Sequence, residues 1–174
     1  IEKNFLPSIF FNKLKDTVTS HNFPWVFESQ TVDDEYSKQD NHFMFTHVLW
    51  AMKGDKSFKT SACFEIFEPI KYWLAEDIEF TDLIRMKLNL YTNQNKRIEQ
   101  EKHHDLRDKG TGEIVPGVTL AIFNFTTCNG GTIINDKEYA SHENEALIFS
   151  NNDEHGGIVQ TDTPTRIALN IAVK

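Results

Sequence analysis

Apolar residues recur at helical spacing near the start of the chain. Phe5, Leu6, Ile9, Phe10, Leu14 and Val18 predict an amphipathic helix over 5–20, with Pro7 admissible in its first turn. Asn22-Phe23-Pro24-Trp25 ends it. Residues 28–42 are polar and acidic without periodicity, which predicts a long loop of the lid or binding-loop kind, or a surface segment. The apolar run Phe43–Trp50 predicts a strand, and His47 within it reads as a core or edge histidine. A second helix is predicted over 61–77, with Phe64, Phe67, Ile70, Tyr72, Trp73 and Leu74 on a broad apolar face and Pro69 as a kink or break.

From residue 84 the period changes from helical to two. Ile84, Met86, Leu88 and Leu90 face one way, and Arg85, Lys87, Asn89 and Tyr91 the other. A short strand is predicted over Ile98–His104, then a turn-rich loop over Asp105–Pro116. Val118–Thr126 is the strongest strand, with Leu120, Ile122 and Asn124 on one face and Ala121, Phe123 and Phe125 on the other. Cys128-Asn129-Gly130-Gly131 reads as a turn and Thr132–Asn135 as a strand. Glu145–Ser150, His155–Thr161 and Thr165–Val173 complete the strands. Helices followed by many short strands predict a mainly β fold with flanking helices, built as an antiparallel double sheet of jelly-roll type. We divide one domain, 1–174, into N-terminal helices with a supporting strand (1–80) and the jelly-roll core (84–174).

Composition narrows the partners. The chain has 174 residues, with 14 Phe and 3 Trp for a core. Its net charge is −8, and no run of Lys or Arg exceeds two residues, which disfavours nucleic acid. Cys63 and Cys128 lack metal-knuckle spacing and fit a reducing compartment. No apolar run reaches membrane-spanning length, and the first residues do not read as a signal peptide. The expectation is a cytoplasmic protein without a membrane partner.

Candidate chemistry concentrates after residue 103. On a strand, His103 and Asp105 share a face and can hold one ion, while His104 points away. His155, after an acidic turn, is the candidate third ligand; a register slip would substitute His104, and Asp153 and Glu154 lie close by. Two histidines and a carboxylate on one face of an octahedral ion leave positions open, as non-haem Fe(II) oxygenases require. A closed zinc site calls for cysteines that this pattern does not offer. Arg166 shares a strand face with Ala168, Asn170 and Ala172, while Ile167, Leu169, Ile171 and Val173 take the other. A guanidinium pointed into a barrel needs an anion, from a bound co-substrate or from an internal acid; the alternative is a strand-end arginine that reaches solvent. Tyr91 and Asn124 are polar positions that serve either a ligand or the fold.

The order His103-His104-Asp105, Gly130-Gly131, then 146–157 and 165–173, resembles the Fe(II)/2-oxoglutarate-dependent oxygenases on their prolyl 4-hydroxylase-like side, in particular short bacteriophage-encoded members. The resemblance spans about Ile84–Val173. It implies a double-stranded β-helix core of the jelly-roll or cupin-like kind. It implies iron on His103, Asp105 and His155, and 2-oxoglutarate with its distal carboxylate on Arg166. Tyr91 and Asn124 fall where such proteins place polar residues near the co-substrate; Asn124 replaces a more usual tyrosine, and Ala168 a more usual Ser or Thr. The implied reaction consumes 2-oxoglutarate and O2, releases succinate and CO2, and hydroxylates an unactivated C–H bond; Asp105 favours hydroxylation over halogenation. A peptide residue such as proline leads the substrate classes, although Arg166 stands where many prolyl hydroxylases have Lys. A small molecule or amino acid is the alternative. A phage origin would place the protein in the host cytoplasm. Two other classes compete: a cupin-type metal protein without 2-oxoglutarate, against which Arg166 argues, and a barrel without catalysis.

Overall fold

The computed structural model describes residues 1–29, 43–53, 57–108 and 110–174. The elements are β1 (Glu2–Lys3), α1 (Ser8–Thr19), β2 (Val26–Glu28), β3 (Met44–Lys53), β4 (Ser57–Thr60), α2 (Phe64–Phe67), α3 (Ile70–Asp77), β5 (Leu83–Thr92), β6 (Ile98–Glu99), β7 (Thr119–Asn124), β8 (Cys128–Ile134), β9 (Lys137–Ser141), β10 (Glu145–Ser150), β11 (His155–Val159) and β12 (Thr165–Val173). The expected loop over 28–42 lies almost wholly outside the described residues.

Two antiparallel sheets face each other. The larger runs β1-β10-β7-β12-β5-β3-β2, with β4 added on β3; the smaller runs β6-β11-β8-β9. The expected jelly-roll is therefore present. Period-two sequences explain the layering. From β7 and β12, Ala121, Phe123, Ile167, Leu169, Ile171 and Val173 meet the helices, where Phe11, Leu14, Val18, Phe67, Ile70 and Leu74 close the main core. The opposite face turns Ile122, Leu147 and Ala168 toward Ile134 of the small sheet. No helix among the described residues is long and apolar enough to cross a membrane.

Several expectations need correction. The first helix starts at Ser8, with Pro7 at its N-cap, so its buried stripe is Phe11, Leu14 and Val18 and Ile9 is 86% exposed. The second helix is two, broken at Pro69 as a missing N–H demands, and Tyr72 is 64% exposed. Ile84 leaves its alternation at a β-bulge, where Ala172 pairs with Arg85 and Val173 with Leu83. It packs instead beside Val118, Leu120 and Ala172.

Cys128–Gly131 is strand, not turn. Its glycines answer close strand approach: a Cβ on Gly131 would lie 2.1 Å from the Tyr139 carbonyl oxygen. The turn falls later, at Asn135-Asp136, both with positive φ, and β9 follows it. The strand expected over Ile98–His104 is regular only at Ile98–Glu99, with one isolated bridge at His103.

Candidate metal centre

His103 and His155 meet across that bridge. His103 N–H donates to the His155 carbonyl at 2.8 Å, and His155 N–H returns the bond at 3.1 Å. Such a reciprocal pair sets both side chains on one face, and the rings stand 4.7 Å apart. His103 Nδ1 lies 3.2 Å from the Glu101 carbonyl. A proton held there leaves Nε2 as the free donor atom. That Nε2 is 3.3 Å from Asp105 Oδ1, and His155 Nε2 is 3.5 Å from the same oxygen.

The three ligand atoms lie within 4.8 Å of one another. Cis ligands about 2.1 Å from a common ion stand about 3 Å apart, so small side-chain shifts complete the set. The donor chemistry, two imidazoles and a carboxylate, fits a divalent first-row ion.

Asp105 is held from its other oxygen by Arg85. Burial alone would raise its carboxyl, but Arg85 and the two histidines outweigh this and hold it well below the usual carboxylate range. It is an anion at neutral pH, as a ligand must be. Its neighbour His104 turns away, with Nδ1 3.0 Å from the Asn151 carbonyl. The Asn151 side chain brackets Leu106, accepting from its N–H at 3.1 Å and donating to its carbonyl at 2.9 Å. Buried Asn151 thus fixes the loop that carries Asp105. Asp153 accepts from Ser150 N–H in its own turn and from the Asn135 side chain in the turn after β8, which takes it out of the ligand set. His47 bonds Pro24 and Ser61, far from this cluster in the fold.

Arg166 projects into the space between the sheets and is 2% exposed. One guanidinium nitrogen donates to Thr132 Oγ1 at 3.2 Å, and its carbon stands 5.3 Å from the Tyr91 ring centre. Its Nε has no hydrogen-bond partner, and no carboxylate pairs with it among the described residues. Burial lowers its pKa from the ordinary guanidinium value, partly offset by Tyr91 and Cys128. Tyr91 sits opposite on β5. Burial pushes its phenol up despite Arg166, so it remains a neutral donor. Its hydroxyl is 3.4 Å from Asn89 Nδ2.

Asn124 lies on the same inner face, beside Ala168, with Oδ1 3.1 Å from Ser141 Oγ. The structure therefore groups His103, Asp105 and His155, and separately pairs Arg166 with Tyr91. Asn124 is tied to Ser141. Arg85, Asn151 and Thr132 were missed by sequence reasoning. Only Arg85 carried a signal, its place on the polar face of β5.

No protein-family model matches the sequence, and no curated protein does. Solved structures do. A 2OG-Fe(II) oxygenase family protein from Burkholderia pseudomallei matches with TM-score 0.69 at 8% identity, over 99% of this chain and 83% of that one. The fold is that of the Fe(II)/2-oxoglutarate oxygenases. An α-ketoglutarate-dependent epimerase of nogalamycin biosynthesis, SnoN, gives TM-score 0.61 at 9% identity over 98% and 75% of the two chains. A viral collagen prolyl hydroxylase from Paramecium Bursaria Chlorella virus-1, solved with 2OG, gives 0.56 at 11% over 98% and 93%.

Proposed function

We propose that this protein is an Fe(II)/2-oxoglutarate-dependent oxygenase that hydroxylates an unactivated C–H bond of a peptide or small molecule. One observation carries the reading. A buried arginine without a carboxylate partner among the described residues shares the inter-sheet space with a His-Asp-His cluster. An uncompensated buried charge costs several kcal/mol, so its retention argues for an anionic ligand. A cupin-type site without a dicarboxylate has no use for it.

His103, Asp105 and His155 would hold the iron, and Arg166 would bind the distal carboxylate of 2-oxoglutarate bidentately. Iron with 2-oxoglutarate and O2 supplies oxidative decarboxylation coupled to C–H oxidation. The chain's own share is placement. Arg85 occupies one oxygen of Asp105 and leaves the other for the ion. Glu101 fixes the His103 tautomer. Tyr91, neutral, lies over the Arg166 guanidinium and can donate to the same carboxylate. The neighbours include a hydroxylase and an epimerase, so hydroxylation over another outcome rests on Asp105 and on the resemblance in sequence.

The test is an anaerobic titration of the apo protein with Fe(II), then 2-oxoglutarate, read by the visible charge-transfer band of a chelated keto acid. The expected band needs both additions, and Arg166→Ala needs far more 2-oxoglutarate. Iron bound without a band refutes the 2-oxoglutarate reading. No iron binding refutes the metal centre.

A further inference from the structure

Gln100 is a buried amide that the reading above does not use. It is 7% exposed, and its Nε2 has no hydrogen-bond partner among the described residues. Its N–H donates to the Gly157 carbonyl at 2.8 Å, which fixes the residue against β11. A Cβ built on Gly157 would lie 2.2 Å from Gln100 Oε1, so the carboxamide fills the volume that a side chain at 157 would take.

That volume lies on the inner face. Gly157 pairs with Thr132 of β8, and directly opposed residues of antiparallel strands project to the same side. Thr132 is the residue that accepts from Arg166. His155 precedes Gly157 by one strand period and so shares its face. The Gln100 amide therefore shares the inner face with a metal ligand and with the Thr132–Arg166 pair. A buried N–H donor without an acceptor is costly to leave unmade. Here the unpaired donor belongs to a side chain on the face that carries both a metal ligand and the arginine's partner.

We propose that Gln100 is a co-substrate-binding residue, its Nε2 donating to a carboxylate oxygen of the 2-oxo acid held between His155 and Arg166. This rests on the oxygenase reading. Gly157 is then required because any side chain there would evict the amide. Selectivity follows: Gln100 and Arg166 together favour a 2-oxo diacid over a 2-oxo monoacid.

The test compares wild type, Gln100→Met and Gln100→Glu, each loaded anaerobically with Mn(II), by calorimetric titration of 2-oxoglutarate. Loss of one charge-assisted hydrogen bond predicts a Kd about ten- to a hundred-fold higher for Gln100→Met. Gln100→Glu, which sets a like charge against the carboxylate, is weaker still. Mn(II) affinity without co-substrate stays within about two-fold, which also reports that both variants are folded. Wild-type binding matched by Gln100→Met overturns the Gln100 assignment alone. Equal weakening of Mn(II) binding and 2-oxoglutarate binding assigns Gln100 to packing and also overturns it. A wild-type protein that takes up Mn(II) and no 2-oxoglutarate overturns the oxygenase reading, and this one with it.

Discussion

Replacing Arg166 with Met should make the empty protein more stable. Arg166 is 2% exposed; its guanidinium donates to Thr132 at 3.2 Å, stands over Tyr91 at 5.3 Å and leaves Nε unpaired among the described residues. Taking such an ion out of water costs several kcal/mol. The bond to Thr132 returns about 1.5 kcal/mol, at the low end for a charged group. The desolvated ring contact returns about 2 kcal/mol. A deficit of about 1–3 kcal/mol remains, by the difference of these figures. Met is unbranched and adaptable, and fills most of the space. For a chain of this size each kcal/mol moves Tm by roughly 2–4 °C, so the apo variant should melt roughly 5 °C higher.

Ligand reverses the order. With Mn(II) bound and 2-oxoglutarate at a hundred-fold over its Kd, wild type gains about 2.7 kcal/mol, and Arg166→Met gains almost none. The assay is thermal unfolding by circular dichroism in four conditions: apo, metal, co-substrate, and both. An apo variant that melts below wild type would show that Arg166 is satisfied within the fold. Equal co-substrate shifts in both proteins would remove Arg166 from the binding site. Either result refutes the reasoning.

The metal ligands should separate sharply from their neighbour. Asp105→Ala and His155→Ala should each lower Mn(II) affinity by more than about a hundred-fold in calorimetry, beyond the 10–100-fold typical of supporting residues, and His104→Ala should change it little. Arg85→Met should destabilise the apo protein near neutral pH by about 3 kcal/mol in urea denaturation, the low end for breaking a buried pair. The sign with pH follows from Asp105. Its folded pKa lies below the ordinary 3.8, so the stabilisation is complete above that value and lost as pH falls through the depressed one. Wild-type and variant stabilities should converge in acid, and a gap that widens there would refute the ion pair. Gly131→Val should cost at least about 3 kcal/mol or prevent folding, since its Cβ meets backbone at 2.1 Å; a small change by the same assay would mean that β9 is free to shift.

Period-two patterning made the large sheet legible. In β5 and β12 one face is apolar against helices and the other carries the polar residues of a site, so alternation survives in the sequence, while β7 is apolar on both faces and reads as a buried strand. Arg166 and Tyr91 were readable for that reason, each as a polar residue on an inner face. The small sheet was not readable in the same way. Its glycines at 130 and 131 look like turn residues by local propensity, and only the approach of Tyr139 and Ile158 explains them. Arg85 lay in view on the polar face of β5. Its role depends on a loop that returns Asp105 to it, and no local pattern encodes that. Ile9 failed through helix phase: moving the start to Ser8 hands the core to Phe11.

The charges of the site also constrain how its ligands combine. Asp105 and Arg85 cancel, the histidines bind metal as neutral rings, and Arg166 leaves the empty site at plus one. A divalent ion raises that to plus three in a space with low dielectric, and a dianion returns it to plus one. Metal and co-substrate should therefore bind with positive coupling, and linkage makes the coupling reciprocal. Typical coupling of about 1–3 kcal/mol predicts that Mn(II) tightens 2-oxoglutarate by roughly 5–150-fold, and that 2-oxoglutarate tightens Mn(II) by the same factor. Calorimetry in both orders measures the two factors. Part of the coupling is direct chelation and survives in Arg166→Met, while affinity for the dianion on the metal-free protein falls. If 2-oxoglutarate binds equally well with and without the ion, it does not touch the His-Asp-His centre, and the two halves of the inner face serve separate purposes.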